Sequence, residues 1–482
     1  MCICMKHTDI NNEVLSRNQI LLKKFYKNTL SSLDIYSSRK FAEEMFGKKE
    51  IIEKPPIFDL KKEQVLVGFK SPKFDLNNAV TLDLRLFDEQ GGQKERKSRI
   101  ITIFGDKGDG KSVLASVLMD YFIQILNIPI LIIDPNDEYS YWKSKPFLFD
   151  NKDDGYKSMI DEFLGQFGLK RTGYKTYTIA PKFLGEKEDI KVDKYYSFSF
   201  KQFKKMMQRR KDTAVKTLTE LLGIADDDSN IDFLLQVLES QRGKFINSWD
   251  DLKRTLLSYR KHTKVKKIFS KLNVKILTGV LSDNEENNID ICELLSKYQI
   301  VVFSGEIRTE SDDTYDTKTY NAFIKILFDE VRDELKRLIA GVKGTKLTNK
   351  SGVLIYIDEA DSIAPKDGKS SLKTATEQLA TKRRKDMLNV ILITQVIGKL
   401  DEPLVVNSDY LFTSALNTLN EKIFKEIRLS DENINLLAHM RKSEKTSIGT
   451  IVRQWGVVDK VNTLVVKKFY PICPASAFKR VI

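Results

Sequence analysis

"RIITIF" (residues 99–104) running straight into "GDKGDGKS" (Gly105–Ser112) is the stretch that decides the fold. A strand-sized apolar run enters a glycine loop spaced G-x-x-x-x-G-K-S, and the pattern after it predicts a helix over Ser112–Ile125. A loop of this kind cradles a polyphosphate with backbone N–H groups at the positive end of a helix dipole. Its lysine reaches the phosphates and its hydroxyl reaches a metal ion. Gly105, Gly108, Asp109, Gly110, Lys111, Ser112 and Val113 are therefore the candidate nucleotide-binding residues. Asp106 and Asp109 add two carboxylates to an anion site. The cradle is main chain, so these side chains need not touch phosphate, and Lys107 and Lys111 offset their charge. At ~8 Å and an effective dielectric of ~20 the repulsion is about 1–2 kcal/mol, which predicts nucleotide binding with an unusually strong dependence on Mg²⁺.

The second half of such a site is "VLIYIDEA" (353–360), where Asp358 and Glu359 end a buried strand. Asp358 can hold Mg²⁺ together with the Ser112 hydroxyl, and Glu359 can polarise an attacking water. The letters at 358–361 spell "DEAD", but only 121 residues follow Asp361, too few for the second core domain of an RNA helicase. An H-R-x-G-R motif is absent as well. A guanine-reading N-K-x-D is absent too, because Asn349 and Lys350 are followed by Ser351 and Gly352, so ATP is the expected nucleotide.

Outward from the loop, apolar strands "IPILIID" (128–134), "QIVVFSG" (299–305) and "NVILITQ" (389–395) alternate with helices expected over 316–340 and 370–386. Apolar strands alternating with helices predict a parallel sheet covered on both faces. The expected fold is α/β, a P-loop NTPase with a RecA-like parallel sheet, a large helical insertion and an N-terminal helical/β extension. The expected boundaries are a helical segment over 1–52, a small β-rich extension over 53–97, and the first part of the core over 98–149. A mainly helical basic insertion over 150–297 and the second part of the core with a C-terminal hairpin over 298–482 complete the division. "DEQGGQKERKS" (88–98) reads as a loop, and Trp455 in the hairpin reads as a packing residue.

Three segments carry a family resemblance: "IIDPNDEYS" (132–140), the Asp358–Glu359 strand, and "RRKDMLNVILITQ" (383–395). Their order resembles the HerA and FtsK superfamily of DNA-pumping ATPases, HerA-like proteins above all, over roughly residues 98–140 and 299–415. The resemblance implies that Arg384 reaches the ATP of a neighbouring subunit, with Arg383 as its rival, and that Gln395 is a polar sensor at a strand end. It also implies that Asp134 and Glu138 orient the lytic water or the metal shell. An arginine that acts across an interface implies a ring, a hexamer, that hydrolyses ATP, and the resemblance implies that it translocates double-stranded DNA. Family members often carry "Q-R-P-S" where this chain has "QVIG" (395–398), and a glycine where Met387 stands.

Composition agrees with an anionic partner. Lys and Arg number 80 against 67 Asp and Glu, a net charge of +13 with a pI near 9.2, and such an excess favours polyanions, against the alternative that a Lys-, Ile- and Asn-rich composition reflects an AT-rich genome. Nine Lys or Arg and no acidic residue lie between Lys253 and Lys275, and "KQFKKMMQRRK" (201–211) is a second cluster. Lys264, Lys266 and Lys267 are the candidate DNA contacts, against the alternative that the run is a solvated face. Four cysteines, Cys2, Cys4, Cys292 and Cys473, fit a reducing compartment. No apolar run reaches the ~20 residues of a membrane span, so a cytoplasmic protein is expected. The competing functional expectations are an ATPase of a conjugation, secretion or virion DNA-packaging machine acting through a protein partner, and a nucleotide-gated defence module. A nuclease or portal is a further partner expected of the DNA motor.

Overall fold

The computed structural model describes residues 64–69, 79–84, 87–90, 93–96, 98–107, 109–136, 139, 168–170, 173–182, 192–225, 227–240, 245–305, 317–347, 352–366, 373, 387–414, 424–440, 444–445, 451–452, 454–461 and 464–471. Strands β1 (Gln64–Phe69), β2 (Ala79–Asp83), β3 (Phe87–Gln90) and β4 (Gln93–Arg96) precede the loop strand β5 (Ile100–Phe104). Then come β6 (Ile130–Asp134), β7 (Thr176–Pro181), β8 (Lys194–Tyr196), β9 (Ile300–Ser304), β10 (Val353–Ile357), β11 (Leu388–Thr394) and β12 (Tyr410–Thr413). A short pair, β13 (Glu444–Lys445) and β14 (Ile451–Val452), precedes the hairpin β15 (Trp455–Asp459) and β16 (Val465–Pro471).

One 12-stranded sheet runs β2-β1-β16-β15-β12-β5-β11-β10-β6-β9-β7-β8. From β12 to β8 every neighbouring pair is parallel, whereas the β12, β15, β16, β1 and β2 edge is antiparallel. Strands β5, β6, β9, β10 and β11 are buried along their whole length, which is why they read as continuous apolar runs rather than alternating ones. The helix Lys111–Gln124 leaves the loop and is buried from Leu114 to Ile123. Polar side chains fix the start of β5. Asp409 Oδ2 accepts the Ile100 N–H at 2.8 Å, and Asn389 Oδ1 accepts the Arg99 N–H at 3.0 Å.

The structure departs from the sequence reading in identifiable places. The polar run at 88–98 is largely a hairpin, in which β3 pairs antiparallel with β4 from Phe87–Arg96 to Gln90–Gln93. Within the stretch 150–297, Thr176–Pro181 and Lys194–Tyr196 are strands rather than helix, and as β7 and β8 they extend the parallel sheet beyond β9. Strand β12 is a four-residue run that no pattern marks. Strands β1 and β2 join the same sheet through β16. Trp455 is buried, as a packing residue should be. The helical segment expected over 1–52 and the helix expected over 370–386 fall outside the described residues, Lys373 excepted.

Between 200 and 297 the helices Phe200–Arg209, Lys211–Leu221, Asp228–Glu239, Trp249–Ser258, Val265–Leu277 and Ile291–Lys297 follow one another. Ser199, Asp227, Ser248 and Asp290 each accept a backbone N–H at a helix start, which stabilises those ends by about 1 kcal/mol apiece. Phe198, Phe200, Phe203, Trp249 and Leu252 pack into the same core as the sheet, and the Trp249 indole donates to the Phe198 carbonyl at 3.0 Å.

The helix Thr317–Ile339 carries Glu330 against this layer. Gln202 Nε2 donates to Glu330 Oε1 at 3.0 Å, and Asp290, Lys205 and Lys346 are the charged groups around it. Burial, and then Asp290, push its carboxyl from 4.5 up to about 7. The folded chain therefore keeps a proton that the unfolded chain loses, so this stability is full below the unfolded value and declines as pH rises through the folded one. Between about pH 5 and pH 8 the denaturation midpoint should fall more in the wild type than in Glu330→Gln. Equal slopes in urea titrations at several pH values would contradict this.

Candidate functional site

The phosphate loop spans the end of β5 and the start of the helix Lys111–Gln124. Gly110 caps that helix with φ 88 and ψ 24, a left-handed conformation that glycine adopts without steric cost. The turn leaves the first helical N–H groups unpaired within the helix and available to an anion. Lys111 Nζ folds back to donate to the Gly105 and Asp106 carbonyls, both at 2.8 Å. The two aspartates differ in kind. Asp106 is exposed, while Asp109 is only 3% exposed. Asp109 Oδ2 accepts the Asp106 N–H at 3.0 Å and the Ser414 hydroxyl, so its carboxylate is committed to the loop's own scaffold. Val113 lies in the helix, and Gly108 falls outside the described residues.

The carboxylates stand two strands away. Asp358 is buried at the end of β10, and its Oδ1 accepts the Glu359 N–H at 3.0 Å. Glu359 takes a left-handed backbone, φ 44 and ψ 50, and caps the one-turn helix Ala360–Ile363. A non-glycine residue there costs about 1–2 kcal/mol and persists only where the surroundings hold it, a strain that clusters at active sites. Strand β11 lies between β5 and β10, and Gln395 just beyond it donates through Nε2 to Glu359 Oε1 at 3.4 Å. The glutamine and glutamate singled out from sequence are thus neighbours. Thr394 Oγ1 donates to Asp361 Oδ1 at 2.6 Å, tying the ends of β10 and β11 together. Met387, ahead of β11, has φ 56, which accounts physically for a glycine being the easier residue at that position.

Two tyrosines that sequence reasoning passed over complete the floor of the site. Tyr139 and Tyr356 share a hydroxyl–hydroxyl hydrogen bond with rings 5.1 Å apart at 67°, and Ser112 is a further partner of the Tyr139 hydroxyl. Burial first, then the Asp358 charge, push the Tyr139 phenol well above its ordinary value. Burial, then Tyr139 and Asp358, do the same to Tyr356. Both are therefore neutral hydroxyls at physiological pH. Asp134, fully buried, accepts the Tyr139 N–H at 2.7 Å, so it holds the turn that presents Tyr139. Glu138, Arg383 and Arg384 lie outside the described residues.

The donor set suits Mg²⁺. Ser112 and Asp358 offer a hydroxyl and a buried carboxylate, and the Tyr139 hydroxyl is a partner of the first and close enough to the second to respond to its charge. Oxygen donors of this type, few in number, fit an ion that takes most of its ligands from phosphates and water. No cluster of three His, Cys, Asp or Glu forms a metal site among the described residues.

The basic segments divide. In the 201–211 cluster Arg209 pairs with Asp333 at 2.7 Å, Arg210 with Asp333 at 3.6 Å, and Lys211 with Glu239 at 2.7 Å. Between 253 and 275, Arg254 pairs with Asp251 at 3.0 Å and Lys275 donates to Thr319 at 2.8 Å. Lys264 and Lys267 lie close enough to Asp227 to help Ser229 hold its carboxyl below the ordinary value. Arg260, Lys261, Lys266 and Lys271 are exposed. No helix among the described residues is long and apolar enough to cross a membrane.

Residues 95–347 match the model of a family described as Helicase HerA, central domain. The match takes in the phosphate loop and stops short of β10 and β11. No curated protein matches the sequence. Solved structures that align with the chain include VirB4 of Thermoanaerobacter pseudethanolicus, 12% identical with a TM-score of 0.48, covering 86% of this chain and 97% of that one. The genome packaging NTPase B204 from Sulfolobus turreted icosahedral virus 2 in complex with ATP-gammaS is 13% identical with a TM-score of 0.34, covering 78% and 98%. The pCW3 conjugation coupling protein TcpA is 12% identical with a TM-score of 0.33, covering 86% and 67%.

Removing the Tyr139 hydroxyl takes one hydrogen bond from Ser112. In Tyr139→Phe, half-maximal binding of a fluorescent ATP analogue should require about fivefold more Mg²⁺, the scale of ~1 kcal/mol, with binding in EDTA unchanged. An unaltered Mg²⁺ titration would remove Tyr139 from the metal side of the site.

Proposed function

The chain belongs to the family of the HerA helicase central domain, and on that premise we propose that it is an ATP-hydrolysing ring motor, a hexamer, that translocates double-stranded DNA. The observation that carries the reading is the contact of Gln395, one strand away from the phosphate loop, with Glu359, two strands away. In this reading the loop amides take the phosphates of ATP, and Lys111 exchanges the Gly105 and Asp106 carbonyls for phosphate oxygens. Ser112 and Asp358 hold Mg²⁺, which neutralises phosphate charge when bound. Glu359 orients and polarises the attacking water, and Gln395 holds Glu359 in place. The neutral phenols of Tyr139 and Tyr356 keep the Ser112 hydroxyl oriented without adding charge. Arg384, or Arg383 beside it, acts on the ATP of the adjacent subunit, a contribution worth about 10³–10⁵ in rate for fingers of this type.

For DNA, the reading uses the exposed Arg260, Lys261, Lys266 and Lys271, with Lys264 and Lys267 shared with Asp227. Cations on a solvated helical layer neutralise phosphates without reading sequence. The 201–211 cluster has a smaller part, since its arginines already face Asp333.

The test is ATP turnover against duplex DNA concentration over a range of salt, with wild type and with Lys266→Glu plus Lys271→Glu. Naked duplex should stimulate turnover, and the slope of log affinity on log salt should be shallower by about 2 in the double variant. An unchanged slope would remove this surface from DNA binding. Turnover indifferent to DNA would overturn translocation and favour an ATPase that answers to a protein partner.

A further inference from the structure

Ser414 belongs to no recognised motif, yet it is built into the phosphate loop. It follows β12, whose Thr413 is opposite Phe104 of β5, and its N–H donates to the Phe104 carbonyl at 3.4 Å. This register sets Ser414 directly beside Gly105. Its hydroxyl donates to Asp109 Oδ2, the same oxygen that accepts the Asp106 N–H at 3.0 Å. One buried carboxylate oxygen thus ties together three points of the chain. The space is full: a Cβ at Gly105 would lie 2.1 Å from Ser414 Oγ and 3.2 Å from Asp109 Oδ2. Both Asp109 and Ser414 are 3% exposed, so their contact is made out of reach of bulk water, where losing it costs more than at the surface.

We propose that Ser414 and Asp109 form a latch that holds the phosphate loop in its anion-binding shape before nucleotide arrives, making Ser414 a positioning residue for ATP binding. A glycine-rich loop left free would lose conformational entropy on closing round a ligand, and a loop already pinned loses less. The latch also explains how an aspartate is accommodated here: its charge is turned toward the loop's own donors instead of the phosphates. The inference rests on reading the loop as a nucleotide site.

The experiment measures the dissociation constant of a fluorescent ATP analogue with Mg²⁺, KM and kcat for ATP, and melting temperature without nucleotide. It uses the full chain as wild type, Ser414→Ala, Asp109→Ala, the double variant and Asp109→Asn. Each alanine variant should bind about tenfold more weakly, the scale of a hydrogen bond to a charged group. The double variant should be no more than about twofold weaker than either single one, because both remove the same contact. Asp109→Asn keeps an acceptor and should recover to within about threefold of wild type, and Ser414→Ala should raise KM with kcat nearly unchanged. Wild-type affinity in Ser414→Ala, or losses that add in the double variant, would overturn the latch while leaving the nucleotide site standing. A fall in melting temperature with affinity unchanged would overturn it as well, by making the contact purely structural. Failure of the wild type to bind the analogue would overturn the nucleotide site itself.

Discussion

The site depends on β11 lying between β5 and β10 in parallel register. Thr394 of β11 is opposite Phe104 of β5, and Leu392 is opposite Ile357 of β10. The chain just past each strand therefore emerges at one edge: Gly105 from the first, Gln395 from the second, Asp358 and Glu359 from the third. Ligands of open parallel sheets sit at the carboxyl ends of the strands, and here that edge holds a phosphate loop, a polar amide and two carboxylates side by side. Asp409 and Asn389 fix where β5 begins, so a slip of β5 would misplace the loop with respect to every other group.

The parts of this arrangement legible in the sequence are those set by local chemistry. Gly110, Lys111 and Ser112 announce themselves because a phosphate cradle needs a left-handed turn and a helix start at fixed spacing, and Asp358 and Glu359 because two carboxylates end an apolar strand. Tyr139, Tyr356 and Ser414 were not legible. Their contacts join positions 217 residues apart in one case and 305 in the other, and nothing local marks a tyrosine or serine as a partner of the loop. Asp134, expected to orient the lytic water or the metal shell, also accepts the Tyr139 N–H, a contact that local sequence does not announce. β7 and β8 escaped notice because "TYTIAP" and "KYY" are short and partly polar, between Lys-rich stretches.

The excess of +13 suggests broad basic surfaces, yet ion pairs with Asp333 and Glu239 occupy Arg209 and Lys211. Exposed pairs of this kind add little stability, but they remove cations from a polyanion's reach. What remains open, around Arg260 to Lys271, is a narrower surface than the sequence run implies.

The most direct measurement of the central claim, that the β10 edge performs hydrolysis on nucleotide held by the β5 loop, is single-turnover phosphate release by Glu359→Gln alongside its ATP affinity. The account predicts ATP bound as tightly as by the wild type, with phosphate release at least ~100-fold slower. Release at the wild-type rate would contradict it.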